Sequence, residues 1–245
     1  MHPKAFQQRA EKLGQKLDER SLERFLQLEQ ELRLWNERVN LTAITKPDEI
    51  ERRHFLDSLS CLLAFADLLE ETPTGPLIDV GSGAGFPGIP IKLARPELRV
   101  TLLDSALKKT TFIEHLIGVL QLDGVTVVRG RAETVGHDSC HRERYLVAVS
   151  RAIASLPTLV ELCLPFVQVG GRLVAPRRGD LEVEARAARG AMAELGGEVD
   201  RIIPVEIVPG ETNRGLVVVR KVSFTPHRYA RREGTPRRRP LEAGG

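Results

Sequence analysis

An α/β architecture follows from three features of this sequence. From residue 76 onward, short apolar runs alternate with segments of helical periodicity. The runs are apolar on both faces, as strands covered on both sides must be. The last two runs lie too close together for a helix between them. The expected fold is a seven-stranded sheet, mostly parallel with an antiparallel terminal pair, preceded by a helical extension.

Residues 1–70 read as helical. Ser21 is a candidate N-cap, and Leu22, Phe25, Leu26, Leu32, Trp35 and Val39 recur at three- and four-residue steps, an apolar stripe for packing. Pro47 suits the first turn of a further helix running to about Leu69. TPTGP (72–76) breaks the pattern. Strands are expected at PLIDV (76–80), RVTLLD (99–104), VTVVR (125–129), YLVAVS (145–150) and GRLVA (171–175), with helices at 88–95, 107–121, 156–164 and 180–195. EVDRIIPVEIV and GLVVVRKV, separated by PGETNRG, form the antiparallel pair. Beyond Val222 the chain reads as an extended, proline-spaced arm. The expected division is 1–70 (helical extension), 71–222 (ligand-binding domain) and 223–245 (basic arm).

Hydrophobic residues make up 42% of the 245-residue chain and aromatic residues only 4%, so the core must be mostly aliphatic. The three cysteines are scattered, which points to a reducing compartment, and the polar start carries no secretory h-region. No apolar run is long enough to span a membrane. A soluble cytoplasmic protein, acting as a monomer, is expected. The net charge of +3 is unevenly placed: residues 220–245 hold eight Lys+Arg against two acids, leaving the rest at −3. A local basic block suits a polyanionic partner.

LIDVGSGAGFPGIP (77–90) places Gly81, Gly83, Gly85 and Gly88 between a strand and a helix. Glycines there permit a tight turn and close backbone approach to a ligand. Gly83 to Gly88 formally matches the dinucleotide fingerprint, so a dinucleotide oxidoreductase remains an alternative. Asp79 is expected to face the crevice, repelling a pyrophosphate and suiting a ligand with an ammonium and a sulfonium. Asp104 ends the next strand, where a carboxylate accepts both ribose hydroxyls. This pattern resembles a class I methyltransferase, a Rossmann-like fold whose cofactor is S-adenosyl-L-methionine. In that fold the loop after the third strand lies against the adenine, so Ala132 and Glu133 become cofactor candidates.

The loop after the fourth strand, VSRAIASLP, lacks the Asn/Asp-Pro-Pro-Tyr sequence of amine-methylating enzymes, and no cysteine sits where a pyrimidine-C5 nucleophile would. Arg151 stands there instead, at the ligand-binding edge of the sheet. His54, Asp57 and Ser58 share one helix face; neighbours on one helix supply neither a nucleophile elbow nor an oxyanion hole, so a hydrolase triad is a poor reading. The His137–His141 segment lacks a second ligand cluster, and no metal is expected.

WNERVNLTAIT, ERRHFLDSL, LIDVGSGAGFPGIPIKLARP, LLDSALKKTTFIEHL, RGRAE, VSRA and HRYARREGTPRRRPL together resemble one family, the bacterial small-subunit ribosomal RNA guanine-N7 methyltransferases (glucose-inhibited division protein B). The resemblance runs from about residue 25 to about residue 240. It implies S-adenosylmethionine-dependent methylation of N7 of one guanine in 16S rRNA near the decoding region, on the rRNA or the small subunit. It also implies cofactor contacts from Asp79, Gly81, Gly83, Gly85, Phe86, Asp104, Ser105, Ala106, Ala132, Glu133 and Arg151. Arg151 and His54 are the expected catalytic residues, with Asn40 and Thr42 near the His54 face. Asn40, Lys108, Lys109, Arg228, Arg231, Arg232, Arg237, Arg238 and Arg239 are expected to contact RNA. The family usually carries Tyr-Pro where this chain has Tyr229-Ala230. Deleting 227–245 is expected to weaken RNA binding and leave cofactor affinity alone. A non-catalytic RNA-assembly factor is the remaining alternative.

Overall fold

A computed structural model describes residues 2–151 and 155–241; Ala152 of the Ser-Arg-Ala motif and the chain from Glu242 onward lie outside the described residues. Its centre is a seven-stranded sheet in the order β3-β2-β1-β4-β5-β7-β6. The strands are β1 (Pro76–Val80), β2 (Arg99–Asp104), β3 (Val125–Arg129), β4 (Tyr145–Val149), β5 (Val167–Arg178), β6 (Gly197–Pro204) and β7 (Arg214–Lys221). β1 through β5 pair in parallel, and β7 runs antiparallel to both β5 and β6, so the reversed strand lies inside the sheet and β6 is the edge. β5 is longer than its apolar run predicts because pairing with β7 continues from Ala175 through Arg178.

Alternation along each strand feeds two cores. In β1, Leu77 packs with the cluster under the N-terminal helices, while Ile78 and Val80 join the opposite one. The first face is covered by α1 (Pro3–Lys12), α2 (Glu19–Val39), α6 (Gly88–Ala94) and α7 (Leu107–Val119). The second is covered by α8 (Ala132–Val135), α9 (Leu156–Cys163), α10 (Leu181–Ala187) and α11 (Arg189–Glu194).

α2 starts one turn earlier than its apolar stripe suggests. Its N-cap is Asp18, whose carboxylate accepts the Ser21 N–H at 2.7 Å, so Ser21 is an N3 residue and not the cap. The Ser21 hydroxyl donates instead to Leu93 O at 3.1 Å, tying α2 to α6. The helical run from Pro47 to Glu71 is built of α3 (Pro47–Ile50), a π-helical turn (Glu51–Leu56), α4 (Asp57–Ser60), a 3₁₀ turn (Cys61–Ala64) and α5 (Ala66–Glu71). Phe6, Phe25 and Phe55 from α1, α2 and this run meet with centroids 4.9–6.0 Å apart, and Phe55 reaches Phe86 of the glycine loop at 6.1 Å. The aromatic chain fixes the helical extension against the loop it overhangs.

The C-terminal tail, expected to be extended, folds back onto the second face. Arg142 draws it in, donating to Tyr229 O and Thr225 O at 2.8 Å each. Tyr229 and Ala230 are buried, and a short helix, α12 (Thr235–Arg238), follows. Among the described residues no helix is long and apolar enough to cross a membrane.

Candidate active site

Strand order reverses at β1: β2 and β3 follow on one side of it, β4 and β5 on the other. This is where an open α/β sheet leaves a crevice at its carboxyl edge. A cleft of about 580 Å³ opens there. Its floor is Val80 to Ala84 and Phe86 after β1, with Leu103, Asp104 and Ser105 from the end of β2. One wall is Gly130 to Glu133, and the opposite rim is Leu41, Thr42, His54 and Arg151.

Asp104 is preorganised. Its Oδ2 accepts the Gly83 N–H and its Oδ1 the Ala106 N–H, each at 2.9 Å, and Lys109 Nζ stands 3.6 Å away. Each oxygen keeps lone-pair capacity for a further donor. Gly83 holds φ +61°, and a Cβ there would enter open space within the cleft.

The glycine loop otherwise spends its donors on itself. Gly81 and Ser82 N–H donate to Leu103 O, Gly85 and Phe86 N–H to Ser82 O, and Ile89 N–H to Gly85 O. Gly88 N–H goes to Asp79 Oδ2 at 2.8 Å. With Gly83 engaged by Asp104, only the Ala84 N–H of this loop has no acceptor among the described residues. A diphosphate needs several such donors, and this loop does not offer them.

Asp79 is placed differently from its expected position in the crevice. It is fully buried beneath the loop and does not line the cleft. The reason is the face it occupies in β1: it points at the start of α6, where Gly88 approaches so closely that a Cβ would lie 3.0 Å from Asp79 Oδ2 and 2.3 Å from Leu102. Burial pushes its carboxyl up to about 7, against the Gly88 bond, and Oδ1 has no partner among the described residues. Asp79 therefore holds a loop donor, the Gly88 N–H, and does not face the cleft.

The far rim is a hydrogen-bonded relay. Arg151 Nη1 donates to Arg53 O at 2.5 Å and Asp57 Oδ2 at 3.1 Å, and Nη2 to His54 Nδ1 at 2.9 Å. Asp57 Oδ1 also takes Arg214 Nη1 at 2.6 Å. Burial pushes the Asp57 carboxyl up, with Arg151 opposing it. His54 stacks on Phe86 with centroids 4.5 Å apart, and the Arg151 guanidinium lies 5.6 Å from the same ring. Burial, then the Arg151 charge, holds His54 down to about 3. It is neutral at physiological pH, and both ring nitrogens have partners, so it is not poised as a free general base.

Of the residues expected at the cofactor, Gly81, Gly83, Phe86, Asp104, Ser105, Ala132, Glu133 and Arg151 line the cleft; Gly85 and Ala106 shape the loops behind it. Lys109 and Arg237 lie at the rim, while Asn40 is an exposed left-handed C-cap of α2 and Lys108 Nζ donates to Val39 O. The tail arginines divide. Arg232, Arg237, Arg238 and Arg239 are exposed; Arg228 pairs with Glu194; Arg231 is committed to the fully buried Glu161 through Nε at 2.8 Å and Nη2 at 2.6 Å. Sequence reasoning missed Thr158, Leu162 and Gly234, which also line the cleft. Gly234 N–H donates to Glu133 Oε1 at 2.9 Å and Thr158 Oγ1 to Pro236 O at 2.9 Å. The tail, expected as a separate basic arm, is thus part of the cleft wall. Cys61 and Cys163 are buried and their thiols pushed upward by burial. No group of three metal-ligating side chains occurs among the described residues.

Comparison with known proteins agrees with this arrangement. The family model of the rRNA small subunit methyltransferase G (GidB) matches residues 20–208. Ribosomal RNA small subunit methyltransferase G of Roseiflexus castenholzii is 52% identical over 228 residues, covering 93% of this chain and 95% of that one. The protein of the same name from Halalkalibacterium halodurans is 41% identical over 240 residues, covering 96% and 98%. In fold, the chain is similar to a 16S rRNA (adenine(1408)-N(1))-methyltransferase variant from Catenulisporales acidiphilia, with a TM-score of 0.51 at 14% identity over 65% of this chain and 92% of that one. The shared length, the glycine loop and the strand-end carboxylate lead to one assignment: this chain belongs to the rRNA small subunit methyltransferase G family.

Proposed function

We propose that the protein transfers a methyl group from S-adenosylmethionine to N7 of one guanine in 16S rRNA near the decoding region. The observation that carries this reading is Asp104, held by two backbone N–H groups at the strand end beside a glycine loop with too few free donors for a diphosphate. That donor set fits a nucleoside with a cationic, phosphate-free extension. Asp104 would accept the ribose hydroxyls, Ala132 and Glu133 would border the adenine, and Gly81, Gly83 and Phe86 would flank the methionine portion. When bound, S-adenosylmethionine supplies an electrophilic methyl group on its sulfonium.

The residues at the far rim favour an acceptor that brings no proton to remove. His54 is neutral and engaged on both nitrogens, and Arg151 is spent on Arg53 O, Asp57 and His54. Guanine N7 attacks with a lone pair and needs no general base, so the protein's task is placement, worth several kcal/mol. His54 and Arg151 then act by fixing the rim. Arg237 at the cleft, with exposed Arg232, Arg238, Arg239 and Lys108, supplies basic charge for phosphates. The test is transfer of labelled methyl to 16S rRNA or small subunits, with the modified nucleotide mapped. Transfer to guanine N7 is expected; transfer to another atom, or to no RNA, overturns the reading.

A further inference from the structure

Thr42 lies on the loop after α2, on the rim across from the sheet. Its hydroxyl has an unusual set of neighbours. The Ile44 N–H donates to Thr42 Oγ1 at 3.1 Å, and His54 Nε2 lies 3.1 Å from the same oxygen. On its other side, His54 Nδ1 is 2.9 Å from Arg151 Nη2. A guanidinium only donates, so Nδ1 accepts and the neutral ring carries its proton on Nε2. That N–H must donate to Thr42. Both lone pairs of the hydroxyl are then filled. Its own hydrogen has no acceptor among the described residues, and Thr42 lines the cleft. The relay has turned an ordinary hydroxyl into a donor that cannot accept.

We propose that Thr42 distinguishes guanine from adenine at the methylated position by donating its hydroxyl hydrogen to guanine O6. The proposal rests on the reading above, that the methyl acceptor is a guanine N7. Adenine and guanine present the same N7 and differ beside it: guanine offers the O6 acceptor, adenine an amine donor. A hydroxyl with free lone pairs serves either base. Thr42 serves only the acceptor, because an adenine amine would meet a second donor with nowhere for either hydrogen to go. O6 is also the acceptor that leaves the attacking lone pair free; a donor placed on N7 itself would quench it. The position agrees. Groups suited to the cofactor, Gly81, Asp104 and Glu133, come from the sheet's carboxyl edge, whereas Thr42 comes from the helical extension facing them.

The test uses the full-length protein and 16S rRNA carrying guanine, 2-aminopurine (hydrogen at C6) or 2,6-diaminopurine (amine at C6) at the methylated position; all three keep N7. Wild type is expected to lose about 10- to 100-fold in kcat/KM on 2-aminopurine, and more on diaminopurine. Thr42→Val should lower the rate on guanine by a similar factor and no longer separate guanine from 2-aminopurine, while Thr42→Ser restores discrimination. Two readouts need no turnover: nitrogen NMR of the His54 ring should report the neutral Nε2–H tautomer, and titration should find S-adenosylmethionine affinity unchanged in Thr42→Val. Equal rates of wild type on guanine and 2-aminopurine would overturn the proposal. So would an Nδ1–H tautomer, or a loss of cofactor affinity in Thr42→Val, which would give the hydroxyl to the cofactor. Failure of wild type to methylate the guanine RNA would instead remove the underlying function, and the proposal with it.

Discussion

Glu133 Oε1 accepts the N–H of Gly234 across 101 residues of sequence, joining the loop after β3 to the C-terminal tail. The carboxylate expected at the adenine also seats the tail, so the tail shares the cleft wall proposed for the cofactor. Ending the chain at Arg232, which keeps Arg231 on Glu161 and removes Gly234, should therefore weaken S-adenosylmethionine binding by about tenfold or more, the scale of one lost charge-assisted contact. Titration of the truncated protein checks this; an unchanged dissociation constant would separate tail from cofactor.

The tail arginines should split by role. Arg231→Ala strands the buried Glu161 carboxylate and should cost about 3–5 kcal/mol of stability, read as a lower denaturation midpoint. Arg237, Arg238 and Arg239 are exposed, and replacing each with Ala should reduce the slope of log K against log salt for RNA binding by about one, with little change in stability. A stable Arg231→Ala protein with a reduced salt slope would reverse the assignment.

Asp79 should leave a pH signature. Its folded carboxyl sits at about 7 against 3.8 unfolded, so the folded state holds the proton more tightly. Its stabilising share is full below about pH 4 and is lost as pH rises through 7. Asp79→Asn cannot titrate, so the stability of wild type minus that of the variant should fall between about pH 4 and 7 and then level off. Urea unfolding across that range measures it, and a flat difference would place Asp79 in a polar, solvated setting.

Gly88→Ala should be destabilising by about 1–3 kcal/mol, since its new Cβ would meet Leu102 and the Asp79 carboxylate. Gly83→Ala meets no atom and should act through its φ of +61° and the open cleft, weakening cofactor binding more than the melting temperature. Paired melting and cofactor titrations compare the two.

Much of this was legible in one dimension. Strands whose apolar character is nearly continuous, such as β1 and β4, announce a doubly covered sheet, and a carboxylate at a strand's carboxyl end, Asp104, announces the edge where the cleft opens. What one dimension hides depends on single long-range partners. Asp57 meets Arg214 across 157 residues and Glu161 meets Arg231 across 70. Neither pair belongs to a period, so nothing local marks it. The direction of Asp79 failed for a related reason: its place near the strand end was readable, but which face of β1 it occupies is decided by what α6 packs against it.

Distant segments of the chain meet at one cleft, with Thr42 on one rim and Gly234 on the other. During synthesis the first rim and every strand of the sheet are polymerised before the second rim. A nascent chain is thus barred from the finished pocket until translation has passed Gly234, and a product stopped short of it is defective even when its sheet is complete.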